Sequence, residues 1–318
     1  MRDYSLYRNN NGQAETGRNF RKPKILIIIF FGLISLFLVL KLSQNYLPLS
    51  LKKSKPENNQ SGQKTNTLSD NGLITSIEKE ISTTSGTFSV YVYDINNKKD
   101  YGLHEQTIIS AASINKIPIL AALYYLAGKN ELDLEKIIIP QPKDIQNYGS
   151  GSIQYDPSGT PYSLKTLARL MMEKSDNTAA YILASLVIGM DKIQTLVDGW
   201  GLTQTRMIDN KTSAKDMSVL LIKMYKGEIT SPSLTSEMLG FMEKSDYDDR
   251  LPQGIPEGIK IYHKTGDDIG KIHDVAIVNL KNRPYYLGIL TMDMTNDETT
   301  KKTMAKISQI VFKYLSSL

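Results

Sequence analysis

The 318-residue sequence contains no cysteine, one tryptophan and three histidines. The absence of cysteine excludes disulfides, zinc–thiolate sites and a lipidated cysteine anchor. The histidines, His104, His263 and His273, are scattered along the chain, and such an arrangement does not predict a metal site. We therefore expect the protein to work without a metal or a cofactor.

Excess positive charge is absent from most of the chain. Residues 1–55 contain ten Lys and Arg against two Asp and Glu, a net charge of +8, and the remaining residues contain 28 against 31, a net charge of −3. The overall charge of +5 therefore belongs to the N-terminal segment. This distribution argues against a nucleic-acid partner. The content of 41% hydrophobic and 22% charged residues is typical of a globular protein.

One long apolar run is present near the N-terminus. Residues 25–40 are apolar except for Gly32 and Ser35, and with Leu42 the run reaches about 18 residues, just enough to cross a bilayer. Basic residues lie closer to its N-terminal side, so the positive-inside rule predicts a cytoplasmic N-terminus and an extracytoplasmic remainder. We expect a single-pass anchor in the cell membrane, with a cleaved signal peptide as the alternative.

The composition divides the chain into four segments. We predict a basic cytoplasmic tail, a transmembrane signal-anchor helix, a flexible linker rich in Asn, Gln, Ser and Lys, and one folded domain, over residues 1–24, 25–42, 43–68 and 69–318.

Within the domain, the residue patterns predict an α/β (α+β) fold. Phe88, Val90 and Val92 alternate with more polar residues, which predicts a strand that enters a hairpin. Later strands are predicted over 259–265, 275–280 and 285–291. Helices are predicted over 70–81, 113–127, 163–174, 178–187, 190–199, 213–226 and 297–315. This order of elements favours an antiparallel sheet with helices packed on it, together with a helical lobe.

Three short motifs occur in one order: Ser113-Ile114-Asn115-Lys116, Ser175-Asp176-Asn177 and Lys264-Thr265-Gly266. Each alone is weak evidence, because the chain contains four Ser-x-x-Lys matches and two Ser-Asp-Asn matches. Only these three combine the order with suitable structural settings. Together they indicate an enzyme that opens an amide through an acyl-serine.

The first motif supplies a nucleophile and a base. Residues three apart on a helix share a face, so the Lys116 amine lies near the Ser113 hydroxyl and can take its proton when burial keeps it neutral. The helix N-terminus also offers a backbone N–H to the developing oxyanion. The alternative for Ser113 is an ordinary helix N-cap beside a solvated lysine.

The second motif lies between two predicted helices. Ser175 can pass a proton to the leaving nitrogen, and Asn177 can hold a substrate amide and Lys116. We expect Asp176 to order the loop itself. Capping of the following helix is the alternative for all three residues.

The third motif ends a predicted strand. Lys264 can hold a substrate carboxylate and lower the pKa of Lys116 or of the Ser175 hydroxyl, and Thr265 can hydrogen-bond the same carboxylate. Gly266 lets a substrate approach the backbone, and the N–H of Asp267 can complete an oxyanion hole. The alternative is an edge-strand lysine followed by a turn glycine.

The motifs and their flanks, Ala111–Pro118 and Glu173–Ala180, resemble those of class A β-lactamases and their relatives among the penicillin-recognising serine enzymes. The resemblance covers residues 70–318. It implies a β-lactamase/transpeptidase-like fold, with a five-stranded antiparallel sheet and an all-helical lobe. It also implies that Ser113 is the acylated nucleophile, Lys116 its base partner and Ser175 the proton shuttle. The implied substrate ligands are Asn177, Lys264, Thr265 and Gly266.

Two positions depart from the family pattern. Class A enzymes carry a glutamate that activates the deacylating water, whereas no glutamate occurs between Glu173 and Glu228 here. Asp209 could substitute for it. His273 lies nine residues after Lys264, where some relatives have an arginine that binds the substrate carboxylate. We expect either a substrate-binding role or a capping or core role for His273.

We therefore expect a membrane-anchored active-site-serine hydrolase with β-lactamase-like activity, acylated at Ser113 and slowed in deacylation. Its substrates would be β-lactams or related amides such as peptidoglycan stems. Two alternatives are a D-alanyl-D-alanine peptidase or transpeptidase, and a penicillin-binding sensor that does not turn over.

Overall fold

The computed structural model describes residues 70–318. The predicted tail, anchor and linker lie outside the described residues. In the described part of the chain, no single helix combines the length and apolar character needed to cross a bilayer, and one helix pair, Asn177–Ile188 with Met190–Gly199, meets those criteria jointly but is bent by 86°.

Nine strands and eight α-helices make up the described residues, with several shorter 3₁₀ turns and one π-helix. The strands are β1 (Thr87–Asp94), β2 (Lys99–Leu103), β3 (Ile109–Ser110), β4 (Ile137–Ile138), β5 (Tyr162–Ser163), β6 (Lys211–Thr212), β7 (Ile261–Asp268), β8 (Lys271–Val278) and β9 (Tyr285–Met292). The helices are α1 (Asp70–Ile81), α2 (Lys116–Gly128), α3 (Leu164–Glu173), α4 (Asn177–Tyr181), α5 (Met190–Gly199), α6 (Ala214–Tyr225), α7 (Pro232–Met242) and α8 (Asp297–Ser316).

Five strands form one antiparallel sheet in the order β2-β1-β9-β8-β7. The alternation along β1 explains its two covered faces. Val90 and Val92 pack with α1 and α8, whereas Tyr91 packs on the opposite face with the remaining helices. Strand β7 is an edge of this sheet, and its register with β8 places Lys264 opposite Val275.

Helices α2 to α7 and the linking turns share one apolar core on that opposite face. Helix α2 is buried from Lys116 through Tyr124, which fits its almost uninterrupted apolar sequence. The remaining short strands form two separate two-stranded sheets, β3 with β6 and β4 with β5. The turn that leads into α2, Ala112–Asn115, contacts the edge strand β7.

The antiparallel five-stranded sheet with packed helices is confirmed, and several boundaries differ from prediction. The helix predicted over 178–187 is α-helical only as far as Tyr181 and continues as a π-helix, Ile182–Ile188. Strand β7 extends to Asp268, beyond the predicted end at 265, because its pairing with β8 continues through Asp268↔Lys271. Helix α7 was not predicted; its buried Met238, Leu239 and Met242 contribute to the helical core.

Candidate active site

Ser113 lies in a 3₁₀ turn, Ala112–Asn115, which leads directly into α2. The preceding Ala112 has φ 46°, a left-handed conformation that is costly for a residue with a Cβ atom. The residue before the turn is held by a 2.8 Å hydrogen bond from the Ala111 N–H to the Asn210 carbonyl. Ser113 is half-buried, so its hydroxyl remains within reach of a ligand.

The Lys116 amine lies among four oxygen atoms. Its Nζ is 3.0 Å from Ser113 Oγ and 3.1 Å from Ser175 Oγ. It also donates to the Ser175 carbonyl at 2.6 Å and to Asn177 Oδ1 at 2.8 Å. The first and second motifs, which are 59 residues apart, thus meet at one nitrogen.

The Ser175 turn connects the end of α3 with the start of α4. Ser175 has φ 52°, the left-handed conformation usually taken by glycine or asparagine after a helix, and the N–H groups of Lys174 and Asp176 both donate to the Leu170 carbonyl. A glycine would fit this backbone more easily, but it would lack the hydroxyl that contacts Lys116. The fold therefore accepts a strained conformation at a side chain of the site.

Asp176 orders the loop, as predicted, through three backbone contacts. Its carboxylate caps α4 at the Ala179 N–H and accepts hydrogen bonds from the N–H groups of Ser152 and Ile153. Gly151 approaches this carboxylate so closely that an added Cβ would lie 2.5 Å from Asp176 Oδ2. The loop over residues 148–153 also holds Asn177, whose Nδ2 donates to the Tyr148 carbonyl at 3.0 Å.

Strand β7 brings the third motif to the same place. Lys264 Nζ donates to Ser175 Oγ at 3.1 Å, so this hydroxyl lies between two lysine amines. A Cβ on Gly266 would lie 3.1 Å from the backbone nitrogens of Ser113 and Ile114, so a larger residue would press on the backbone of the Ser113 turn. The edge strand therefore packs directly against the turn that carries Ser113.

The two lysines have perturbed electrostatics. Burial, and next the charge of Lys264, hold the pKa of Lys116 well below its ordinary value against the opposing effect of Asp176. Burial lowers the pKa of Lys264 to about 8, although Asp274 and Asp267 favour its charged form. Lys116 is thus suited to accept a proton, and Lys264 retains much of its charge at neutral pH.

His273 is fully buried, and both ring nitrogens contact the backbone. Nε2 is 2.8 Å from the Ser110 carbonyl, and Nδ1 accepts from the Thr291 N–H at 3.1 Å. Burial lowers its pKa to about 4, so the ring is neutral. In this conformation His273 offers no free group to a substrate. Of the two roles left open by the sequence, the geometry supports the core role.

Several residues near the site were not singled out from the sequence. Arg250 is 1% exposed and holds the Asp267 carboxylate with both terminal nitrogens, at 2.7 and 3.2 Å. The buried His263 lies between Asp274 and Asp248, at 3.0 Å from each. No local sequence signal pairs residues that are 11 to 17 positions apart and lie on different elements.

The segment between α5 and α6 is short. It contains a turn closed by a β-bridge between Arg206 and Lys211, and its strand β6 pairs with β3. Helix α6 then begins at Ala214. Asp209, the predicted substitute for the missing glutamate, is exposed.

The chain is similar to several known proteins. Residues 72–315 match the model of the β-lactamase enzyme family. The extended-spectrum β-lactamase PER-1 of Pseudomonas aeruginosa is 22% identical over 227 residues, which cover 64% of this chain and 74% of PER-1. The β-lactamase BRO-1 of Moraxella catarrhalis is 22% identical over 220 residues, which cover 62% of this chain and 70% of BRO-1.

Among solved structures, PBP-A superposes with a TM-score of 0.71 at 26% identity, over 77% of this chain and 96% of PBP-A. A point mutant of PBP-A, in an acyl-enzyme complex with penicillin G, superposes with a TM-score of 0.72 at 25% identity, over 78% and 97% of the two chains. The match to the family model extends over more than half of the sequence. The chain therefore belongs to the β-lactamase enzyme family, within the β-lactamase-related superfamily of serine enzymes.

Proposed function

We propose that the protein is a membrane-anchored serine hydrolase in which β-lactams or related amides acylate Ser113. The observation that carries this proposal is the position of Lys116 Nζ, within 3.1 Å of both the Ser113 and the Ser175 hydroxyl oxygens. A serine is a weak nucleophile until a base takes its proton, and this amine is within reach and has a lowered pKa.

The contacts of Lys116 are compatible with a neutral amine. The Ser175 carbonyl and Asn177 Oδ1 can only accept hydrogen bonds, and they are the two nearest oxygens, at 2.6 and 2.8 Å. A neutral amine has two N–H groups for these acceptors and one lone pair, which remains for a hydroxyl. The Ser113 hydroxyl can then donate to Lys116 and lose its proton as Oγ attacks the carbonyl carbon.

The backbone N–H groups of Ser113 and Asp267 would bind the oxyanion that forms. Support for this role is the packing of Gly266 against the Ser113 turn, which brings β7 and the turn together. When the amide C–N bond breaks, Ser175 gives its proton to the leaving nitrogen and receives one from Lys116. The proton that Lys116 takes from Ser113 is thus passed on through Ser175, and Lys116 ends the step neutral.

Substrate docking involves three polar groups, which belong to Lys264, Thr265 and Asn177. Lys264 faces the polar substrate group that docks beside β7, and its charge also favours neutral Lys116. The hydroxyl of Thr265 makes no hydrogen bond within residues 70–318, so it is available to the same group. Asn177 positions the acyl-side amide while it holds Lys116.

Deacylation should be slow. Activation of the attacking water requires a base, and the sequence has no glutamate between α3 and Glu228. This supports a second candidate function, a D-alanyl-D-alanine peptidase, a transpeptidase or a non-turnover penicillin-binding sensor. The likeness to PBP-A, a mutant of which was solved as a penicillin G acyl-enzyme, adds to that support.

The test is intact-mass spectrometry of the protein at intervals after mixing with penicillin G. We expect an adduct of one penicillin per chain that persists for minutes to hours, and no adduct on Ser113→Ala. Ser76→Ala is the matched control, because Ser76 also begins a Ser-x-x-Lys sequence but bonds to the Gly72 carbonyl on α1. An adduct that disappears within seconds would favour rapid β-lactam hydrolysis. Absence of an adduct on the wild type would remove the β-lactam proposal.

A further inference from the structure

Asp267 places a negative charge beside the strand that would bind the substrate. It follows Gly266 on β7, and because side chains alternate along a strand, Asp267 shares a face with Thr265. Its side chain is 46% exposed, whereas the Arg250 side chain that holds it is 1% exposed. A ligand that reaches Thr265 therefore meets a carboxylate, with the guanidinium behind it.

Arg250 already uses four of its five N–H groups within the protein, and its side chain is 1% exposed. Its Nη1 and Nη2 donate to the two Asp267 carboxylate oxygens, Nη1 also donates to the His273 carbonyl at 3.1 Å, and Nε donates to Asp249 at 2.8 Å. The bidentate pair fixes the Asp267 side chain. Lys264 makes no ion pair within residues 70–318, and the Asp267 charge opposes its attraction for an anionic substrate group.

On the basis of the proposed function, we propose that Asp267 determines specificity by disfavouring a substrate carboxylate beside β7. The preferred substrates are amides that carry a neutral or cationic hydrogen-bond donor there, such as a carboxamide or an ammonium group. A donor can bond the exposed Asp267 oxygens, whereas a carboxylate is repelled by them.

The experiment compares two probes that bond reversibly to an active-site serine and differ in one group, 3-carboxyphenylboronic acid and 3-carbamoylphenylboronic acid. Their Kd values are measured by calorimetry on wild type, Asp267→Asn and Asp268→Asn. Asp268 is the matched control, because it is the next residue, is 47% exposed and pairs with Lys271 instead of Arg250. Circular dichroism checks that each variant is folded.

We expect the wild type to bind the carboxamide at least as tightly as the carboxylate. Asp267→Asn should shift the ratio of the two Kd values at least about tenfold toward the carboxylate, since one like charge is removed, and Asp268→Asn should shift it less than about threefold. Tenfold tighter binding of the carboxylate by the wild type would overturn the inference even if Asp267→Asn did not fold. Equal shifts in both variants would also overturn it.

These outcomes separate the two proposals. If both probes bind the wild type but not Ser113→Ala, the proposed role of Ser113 is supported. The ratio of the two Kd values then tests the role of Asp267 by itself. If neither probe binds the wild type more tightly than it binds Ser113→Ala, the proposed function fails, and the role of Asp267 fails with it.

Discussion

At the scale of single residues, the site depends on two buried amines that share one hydroxyl. Ser175 Oγ is 3.1 Å from Lys116 Nζ and 3.1 Å from Lys264 Nζ. Two ammonium groups in such a position repel each other, so the proton is more easily lost from the amine that has fewer compensating carboxylates. Asp274 and Asp267 favour the charge on Lys264, whereas Asp176 alone does so for Lys116. This asymmetry supports the proposed roles of Lys116 as the base and of Lys264 as the cation.

Replacement of Lys116 tests that assignment. Lys116→Ala should reduce the acylation rate by about 10²- to 10⁴-fold, because the Ser113 hydroxyl loses its base. The rate of adduct formation with penicillin G, followed by rapid quench and mass spectrometry, measures the change. Lys302→Ala, at an exposed lysine on α8, should leave the rate unchanged. Acylation of Lys116→Ala at the wild-type rate would show that another group takes the proton.

At the scale of elements, contact between β7 and the Ser113 turn sets the geometry of the site. Gly266→Ala would place a Cβ 3.1 Å from the Ala111 carbonyl oxygen and from the Ser113 nitrogen, both of them backbone atoms. We expect a loss of about 1–3 kcal/mol in the free energy of unfolding from overpacking, and at least about tenfold slower acylation from the displaced serine. Urea unfolding and the adduct rate measure the two effects.

Gly240→Ala is the control for this substitution. Gly240 lies within α7, and an added Cβ there meets nothing within 4 Å, so alanine should stabilise the helix by about 0.5–1 kcal/mol and leave acylation unchanged. Equal effects of the two substitutions would mean that the close approach of Gly266 is unimportant.

The pairing of β7 with β8 also contains a pH-dependent contact. Burial of His263 disfavours its charge, but Asp274 and Asp248 raise its pKa to about 9 overall. Because the ordinary pKa is about 6.5, the folded state binds the proton more tightly than the unfolded state. The contact therefore stabilises fully below pH 6.5, and the stabilisation is lost as the pH rises to 9.

His263→Gln should consequently destabilise the protein by about 3 kcal/mol more at pH 6 than at pH 9.5. Urea unfolding of wild type and variant at both pH values gives this difference, and titrations common to both proteins cancel. A His263→Gln cost that is independent of pH would contradict the charged contact.

The elements also indicate what sequence patterns can predict. The sheet and most helices follow from apolar periodicity, because burial of one face largely determines those elements. The sequence pattern predicts the end of β7 too early, at residue 265 instead of Asp268, since Gly266, Asp267 and Asp268 are typical of a loop. Pairing with β8 overrides that local preference. The convergence of the motifs was predictable from their order, but the Arg250–Asp267 pair was not, because it depends on tertiary packing alone.

At the scale of the whole molecule, the apolar run at residues 25–40 is predicted to hold the protein in the cell membrane. The full chain should remain in the pellet after alkaline extraction of membranes, and protease added to the outer side should digest the domain. Leu33→Arg with Leu36→Arg should release the chain, because each central arginine costs about 2.5–3.5 kcal/mol in a bilayer. Leu47→Arg with Leu49→Arg, in the predicted linker, is the matched control and should stay in the pellet. Recovery of the wild-type chain in the soluble fraction, shortened at its N-terminus, would instead identify the run as a cleaved signal peptide.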